Sequence, residues 1–375
     1  MNICIITEYY PHKGKITGGV ENRVWNISRE LSKRHTVHII CTRQPGQPTK
    51  EDQENIHIHR VGPTIQYTNT ISITKRILFT ISAIITALRL DFDIIEGSSF
   101  LSYISAGVSG MLKRKLRVAT YHEVWVDKWT KVKGMAGMFG ELWEATALLL
   151  PWTNIISVSE YTKKKLSRRG IRNVTVVPNG INQVSSFKFK VPRRNDEILC
   201  ISRLTQQKKV DTLIHAIAKL KQQHPNIHCT IIGQGEERER LEMITGQQGL
   251  KENITFLGYV EDKKIIEKHL STATIFCSPS TLEGFGITLL EAYAYGTPAV
   301  ITHIPAYKEV TREKGALFFT PGKAEECAQQ IHELLTNKKQ WKKLSMEAYE
   351  HSQQYHWKKI VQRLEEVYER VRSER

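Results

Sequence analysis

The chain has 375 residues, 40% of them apolar, and a formal net charge of +16. That length exceeds one ordinary domain and suits two, and glycine and proline are too sparse for wholesale disorder. The six cysteines (Cys4, Cys41, Cys200, Cys229, Cys277 and Cys327) form no CxxC pair and keep no zinc spacing. They read as buried thiols in a reducing compartment, not as a metal module.

The opening run MNICIITEYYP lacks the basic start and the length of a signal peptide and is predicted to be a first strand. Short apolar runs then alternate with longer amphipathic ones. Strands are predicted at 3–7, 36–41, 56–61, 93–96, 116–121, 154–158 and 174–177. A helix is predicted over 20–33, where Val24, Ile27 and Leu31 repeat at helical spacing. The greasy stretch 77–88 is too short to cross a bilayer, and the segment around it, 71–90, flanked by Lys75, Arg76 and Arg89, reads first as a core helix covering the sheet and second as a helix at the outer lip of a ligand cleft. Segment 125–150 carries Trp125, Lys128, Trp129, Lys131 and Lys133, which suit a lipid headgroup interface.

A polar, basic stretch at 182–196 marks the domain break. Strands resume at 197–201, 227–232, 254–257, 274–277, 299–302 and 316–320. The last segment, 357–375, is a helix with Ile360, Leu364, Val367 and Val371 on one stripe and no strand after it. The alternation predicts an α/β fold with two doubly wound, Rossmann-like domains, 1–185 and 196–356, the terminal helix 357–375 joining the first. The expected protein is cytoplasmic and not integral. Its charge points to phosphorylated ligands or an anionic membrane surface. No nucleic-acid-binding signature is present, so nucleic acid is not an expected partner.

Open parallel sheets bind ligands beyond the carboxyl ends of their strands, so loops leaving strands hold the candidates. Glu283-Gly284-Phe285-Gly286-Ile287-Thr288-Leu289-Leu290-Glu291 leads from a strand into a helix. Its glycines admit a ligand to backbone N–H groups, its helix start favours phosphate, and its two carboxylates can accept sugar hydroxyls. Arg203 and Lys208, five residues apart after the strand 197–201, can bracket a diphosphate without a metal. Gly233-Gln-Gly235 is a GxG turn that suits a nucleotide or a purely structural bend equally well. Gly18-Gly19 precedes a helix, and Tyr121-His122-Glu123 closes a strand with a histidine able to contact a sugar hydroxyl or to assist proton movement. Asp91-Phe92-Asp93 imitates a metal-binding DxD but opens a strand far in sequence from these loops, so no metal site is expected.

In order along the chain, these motifs resemble those of retaining glycosyltransferases of family 4, which have the two-domain GT-B architecture. The likeness also takes in Ser157-Val158-Ser159-Glu160 with Lys164, Pro178-Asn179-Gly180, and Phe256-Leu257-Gly258-Tyr259-Val260. It implies a sugar transferred from a nucleoside-diphosphate sugar to a hydroxyl acceptor, with the site in the cleft between the domains, retention of anomeric configuration and no cofactor. The acceptor is expected to be a lipid-linked or polymeric glycan. By that resemblance Glu283 holds the donor sugar, Glu291 the ribose, and Arg203 and Lys208 the diphosphate. Gly233, Gly258, Tyr259 and Val260 line the base, and residues 284–288 join the donor site. Gly18, Gly19, His122 and Glu123 face the acceptor, Gly19 also approaching the donor phosphate. Catalysis is assigned to Glu283, His122, Arg203 and Lys208, with Glu283 as an electrostatic and positioning group. Two departures are Glu123, where Asp is commoner, and Lys209, where Gly is common. A sugar-nucleotide epimerase on the same fold and a non-catalytic nucleotide-sugar-binding subunit are the alternatives. The second would be expected to lose Arg203, Lys208 or Glu283.

Overall fold

In the computed structural model, residues 1–12, 14–16, 18–65, 72–130, 134–184 and 196–374 are described. They form two compact units, one of 1–179 with 357–375 and one of 180–356.

The first unit is built on an eight-stranded sheet. Its strands are β1 (Asn2–Ile6), β2 (Thr36–Arg43), β3 (Lys50–Gln53), β4 (Ile56–Thr64), β5 (Ile94–Gly97), β6 (Leu116–Tyr121), β7 (Asn154–Ser157) and β8 (Val174–Val176). They lie in the order β3-β4-β2-β1-β5-β6-β7-β8, and only the β3–β4 pair is antiparallel among the pairs described. β1 is apolar from Ile3 to Ile6 because helices cover both of its faces, as parallel sheets require. Ile3 and Ile5 point into a core shared with α1 (Gly19–Leu31) and the C-terminal helix (Trp357–Ser373). Cys4 and Ile6 point the other way, into a core shared with α2 (Ile73–Arg89) and α3 (Ser102–Leu112). Further along that second face lie α4 (Gly137–Leu149) and α5 (Glu160–Ser167).

The C-terminal helix buries Ile360, Leu364, Val367 and Val371 in the first unit, as its stripe requires. It also brings Tyr368, whose hydroxyl donates to Oε2 of the buried Glu96 on β5.

The core-helix reading of 71–90 is half right, and Ile71 lies outside the described residues. α2 buries Phe79, Thr80, Ala83 and Ala87. Ile73, Ile77, Leu78, Ile81, Ile85 and Leu88 stand exposed on its other side, each 38–49% accessible. The helix is apolar on two opposite sides, and the sheet covers one of them.

The second unit has a six-stranded, all-parallel sheet. The strands are β9 (Glu197–Ile201), β10 (His228–Ile232), β11 (Ile254–Gly258), β12 (Ile275–Ser278), β13 (Ala299–Thr302) and β14 (Ala316–Phe319), in the order β11-β10-β9-β12-β13-β14. The helices are α6 (Val210–Leu220), α7 (Arg238–Gln247), α8 (Lys263–Thr272), α9 (Ile287–Ala294), α10 (Pro305–Thr311), α11 (Ala324–Thr336) and α12 (Lys338–Ser352). All six cysteines are free and buried, Cys4 and Cys41 in the first unit and the other four in the second.

Candidate active site

In each sheet the strand order runs outward in both directions from one central pair. Those pairs are β1/β5 in the first unit and β9/β12 in the second. A crevice opens where the connections diverge, and ligands of doubly wound sheets bind there.

In the second unit the loops leaving β9 and β12 carry the two strongest motifs to this point. Thr281 ties them together: its N–H and its hydroxyl both donate to the Gln207 carbonyl, at 2.9 and 3.0 Å. Lys208 Nζ thereby reaches Glu283 Oε1 at 2.5 Å, both side chains being about one-sixth exposed. Tyr307, buried on α10, donates its hydroxyl to the same Glu283 oxygen at 3.2 Å and meets Ser278 Oγ at 2.5 Å. Gly286 caps α9 with a left-handed φ of 97°, and a side chain there would press on the Tyr307 ring. That close approach is what the position asks of glycine. Arg203 is exposed on the adjoining loop and makes no hydrogen bond or ion pair among the described residues.

The GxG turn acts through this loop. A Cβ on Gly233 would overlap the Ser202 carbonyl oxygen, and one on Gly235 the Leu204 carbonyl oxygen. Ser202 N–H donates to Ile232 O, Leu204 N–H to Gln234 O, and Glu237 N–H to Leu204 O. The two glycines thus let the loops after β9 and β10 lie backbone on backbone, which sets where Arg203 emerges. Gly258, with φ 70°, accepts from Gly233 N–H at 2.8 Å and borders Arg238, while Tyr259 beside it is 46% exposed. Phe285 is buried edge-on to Tyr355.

Glu291 lies in the second turn of α9. Burial pushes its carboxyl up to about 7, and Lys263 pulls it the other way. The carboxylate receives no hydrogen bond from the described residues. Between the ordinary carboxylate value and about 7, the native state holds a proton that the unfolded chain has released. Stability is therefore expected to fall as pH rises through that window, with the penalty complete by about pH 8. Thermal melts of Glu291→Gln should show its advantage over the parent growing from about pH 5 to about pH 8. Parallel curves would contradict the assignment.

In the first unit, Ser98 N–H donates to Ile6 O and Glu8 N–H donates to Ser99 Oγ, closing the β1 and β5 loops on each other. His122 follows β6, and its Nε2 lies 3.2 Å from the Ser98 carbonyl oxygen. A carbonyl only accepts, so Nε2 carries the hydrogen and Nδ1 keeps its lone pair. Burial and the nearby Arg23 cation push this imidazole down to about 3. It is therefore neutral at physiological pH, an acceptor at Nδ1 and not a proton reservoir. Ser98 Oγ and Thr120 Oγ1 donate to Glu96 Oε1 at 2.5 and 2.8 Å. Arg23, fully buried, donates to Pro178 O at 2.7 Å, Asn179 Oδ1 at 3.0 Å and Val177 O at 3.2 Å. Nothing local in the sequence announces this polar cluster, whose members come from stretches far apart in the chain.

Gly18 and Gly19 open α1 without a side-chain cap. Glu123 is held by Lys165 at 3.2 Å and Lys128 at 3.5 Å. Lys131 and Lys133 lie outside the described residues. Trp129 turns inward, donating Nε1–H to Glu144 at 2.7 Å, and Trp125 packs on it, so these rings do not form a free headgroup belt. Asp93 accepts from Asn2 N–H at 2.8 Å and Phe92 is buried, so the DxD look-alike is spent on starting β5.

With this geometry, the comparisons with known proteins are decisive. Residues 17–183 match the family model described as Glycosyltransferase Family 4, and residues 182–351 match Glycosyl transferases group 1. The chain is a family 4-type glycosyltransferase. The enzyme has the GT-B fold: sucrose-phosphate synthase from Thermosynechococcus elongatus superposes with a TM-score of 0.83 at 20% identity, all of both chains being covered. Anabaena Alr3699/HepE in complex with UDP-glucose superposes at 0.76 with 18% identity, over 98% of this glycosyltransferase and 99% of that chain. The α-monoglucosyldiacylglycerol synthase of Acholeplasma laidlawii is 24% identical over 351 residues, 85% of each protein.

Proposed function

We propose that this glycosyltransferase moves a sugar from a nucleoside-diphosphate sugar to a hydroxyl of a lipid-linked or polymeric glycan acceptor at a membrane surface, with retention and without a metal. The observation that carries the donor half is the meeting of Lys208 with Glu283 at the β9/β12 crevice, with Arg203 exposed on the same loop as Lys208. A cation pair and a carboxylate are what a departing diphosphate and a hydroxyl-rich sugar respectively need. In the transfer, the bond from the anomeric carbon to the β-phosphate oxygen breaks and the acceptor oxygen bonds to that carbon. The acceptor proton leaves with the phosphate. Arg203 and Lys208 stabilise the charge on the leaving group, Glu283 orients the sugar, and Glu291 accepts from ribose. In the first unit, Gly19 and the Nδ1 acceptor of His122 serve the acceptor side. Retention follows from the likeness to family 4. The lipid half draws on the Acholeplasma relative, whose name places it in diacylglycerol glycolipid synthesis, and on the high positive charge.

The reading is tested by thermal shift against nucleoside diphosphates and their sugars, because a ligand of the native state alone raises the melting temperature. One of them is expected to raise it, and an unmoved melt across the panel counts against a nucleotide-sugar donor. With that donor, transfer is expected to continue in excess EDTA and to yield the anomer of the donor by NMR. Loss of turnover that Mg²⁺ or Mn²⁺ restores would overturn the metal-free reading.

A further inference from the structure

The outer face of α2 has an unusual makeup. At 100° per residue, Ile73, Ile77, Leu88, Ile81, Ile85 and Leu78 fall in one arc of about 140°, opposite the buried Phe79, Ala83 and Ala87. Thr74 is the one polar residue in that arc. α4, in the same helical layer, repeats the pattern: Met138, Leu142 and Leu149 are 62–86% exposed and share a narrow stripe, while Gly137, Gly140, Glu144 and Ala147 face inward. Single exposed apolar residues are ordinary, but two such stripes on one layer are not.

What covers such a face is decided by its chemistry. Protein interfaces carry about one hydrogen bond per 100–200 Å². Four turns of α2 offer aliphatic carbon and one hydroxyl. Basic groups gather at one end of the stripe: Arg89 is exposed at its edge, and Lys113 donates to Leu88 O at 3.2 Å, with Arg114 and Lys115 following. Aliphatic side chains with a cationic margin match acyl chains beneath anionic headgroups.

We propose that the exposed faces of α2 and α4 seat this enzyme in the surface of an anionic bilayer, α2 lying in the interface plane with its isoleucines in the acyl region. The inference rests on the lipid-linked acceptor reading and adds the surface that meets the lipid. Of the segment 125–150 it keeps α4, and it puts α2 in place of the lysine-rich start of that segment as the principal contact. No helix among the described residues is long and apolar enough to cross a membrane, so the attachment is by one leaflet.

The test uses the full chain and vesicles of phosphatidylcholine with phosphatidylglycerol. The parent is expected to float with them, and in part still at high salt, because an apolar contribution is not screened. The variant Ile77→Ser/Ile81→Ser/Ile85→Ser, altered at exposed positions only, is expected to bind about tenfold less or weaker still, having lost apolar transfer at three sites. Its melting temperature should keep the parent's response to nucleoside diphosphate. Because every native cysteine is buried, Ile81→Cys can be labelled alone with an environment-sensitive dye, whose emission should shift to the blue on adding vesicles. Equal flotation of the triple variant and the parent would overturn the proposal, as would a dye that does not respond. So would light scattering that finds a parent dimer, split by the triple variant, with no vesicle binding. Failure of the parent to respond to any nucleotide, with flotation intact, would instead sink the donor assignment and leave the surface standing.

Discussion

Arg203→Ala and Lys208→Ala are each expected to lower kcat/KM by about 10²-fold or more, the scale of one lost charge-stabilising group at a reacting centre. The two variants should differ in stability. Arg203 is exposed and unpaired among the described residues, so its loss should leave the unfolding midpoint in place. Lys208 holds Glu283 at 2.5 Å. Its loss leaves a mostly buried carboxylate with Tyr307 as its remaining donor, so a lower midpoint should accompany the lost turnover. Steady-state rates at varied donor, paired with urea melts, separate these effects. Parent-like turnover in either variant would remove that residue from the diphosphate site.

The second large effect lies in the fold. Gly233→Ala is expected to destabilise the second unit by about 3 kcal/mol or more, combining backbone strain with overpacking. Gly233 has φ 138°, and the new methyl would overlap the Ser202 carbonyl oxygen, a backbone atom that cannot swing aside. Gly249→Ala is the matched control. It too has a left-handed φ, of 65°, but nothing stands near its Cβ direction. It should cost about 1 kcal/mol, the ordinary penalty of that conformation. Similar losses in both, measured by urea unfolding, would show that strain and not the loop-on-loop contact sets the requirement for glycine.

The strands were legible because buried parallel strands are continuous apolar runs, and each of the thirteen expected runs overlaps a strand. β3 escaped notice because its residues, KEDQ, pair along one edge with their side chains partly in water, leaving no apolar signal. At the site, motif position identified the β9 and β12 loops, since the rule about strand ends needs only chain order. The sequence could not show that Lys208 and Glu283, 75 residues apart, touch, or that Gly233 and Gly235 serve the Arg203 loop. Nor could it assemble Arg23, Glu96 and Tyr368 into one buried cluster, because such contacts depend on tertiary closure. α2 misled for a related reason. Periodicity separates an apolar face from a polar one, but this helix is apolar on both, and only the packing shows which side the sheet covers.

The six buried thiols make the chain its own reporter of local opening. Burial pushes Cys4, Cys41 and Cys200 up to about 12 and holds Cys229 and Cys277 well above the usual thiol range, so these five offer almost no thiolate in the folded protein. An alkylating reagent can then modify a cysteine only after the surrounding core has opened, and the modification rate reads the free energy of that opening. Two sites fall in the first unit and four in the second. Mass spectrometry of timed alkylation would therefore yield a separate opening free energy for each unit from the unmodified protein. Donor binding would be seen as slowed labelling at Cys200 and Cys277, whose strands end in the Arg203 and Glu283 loops, ahead of any change at Cys4.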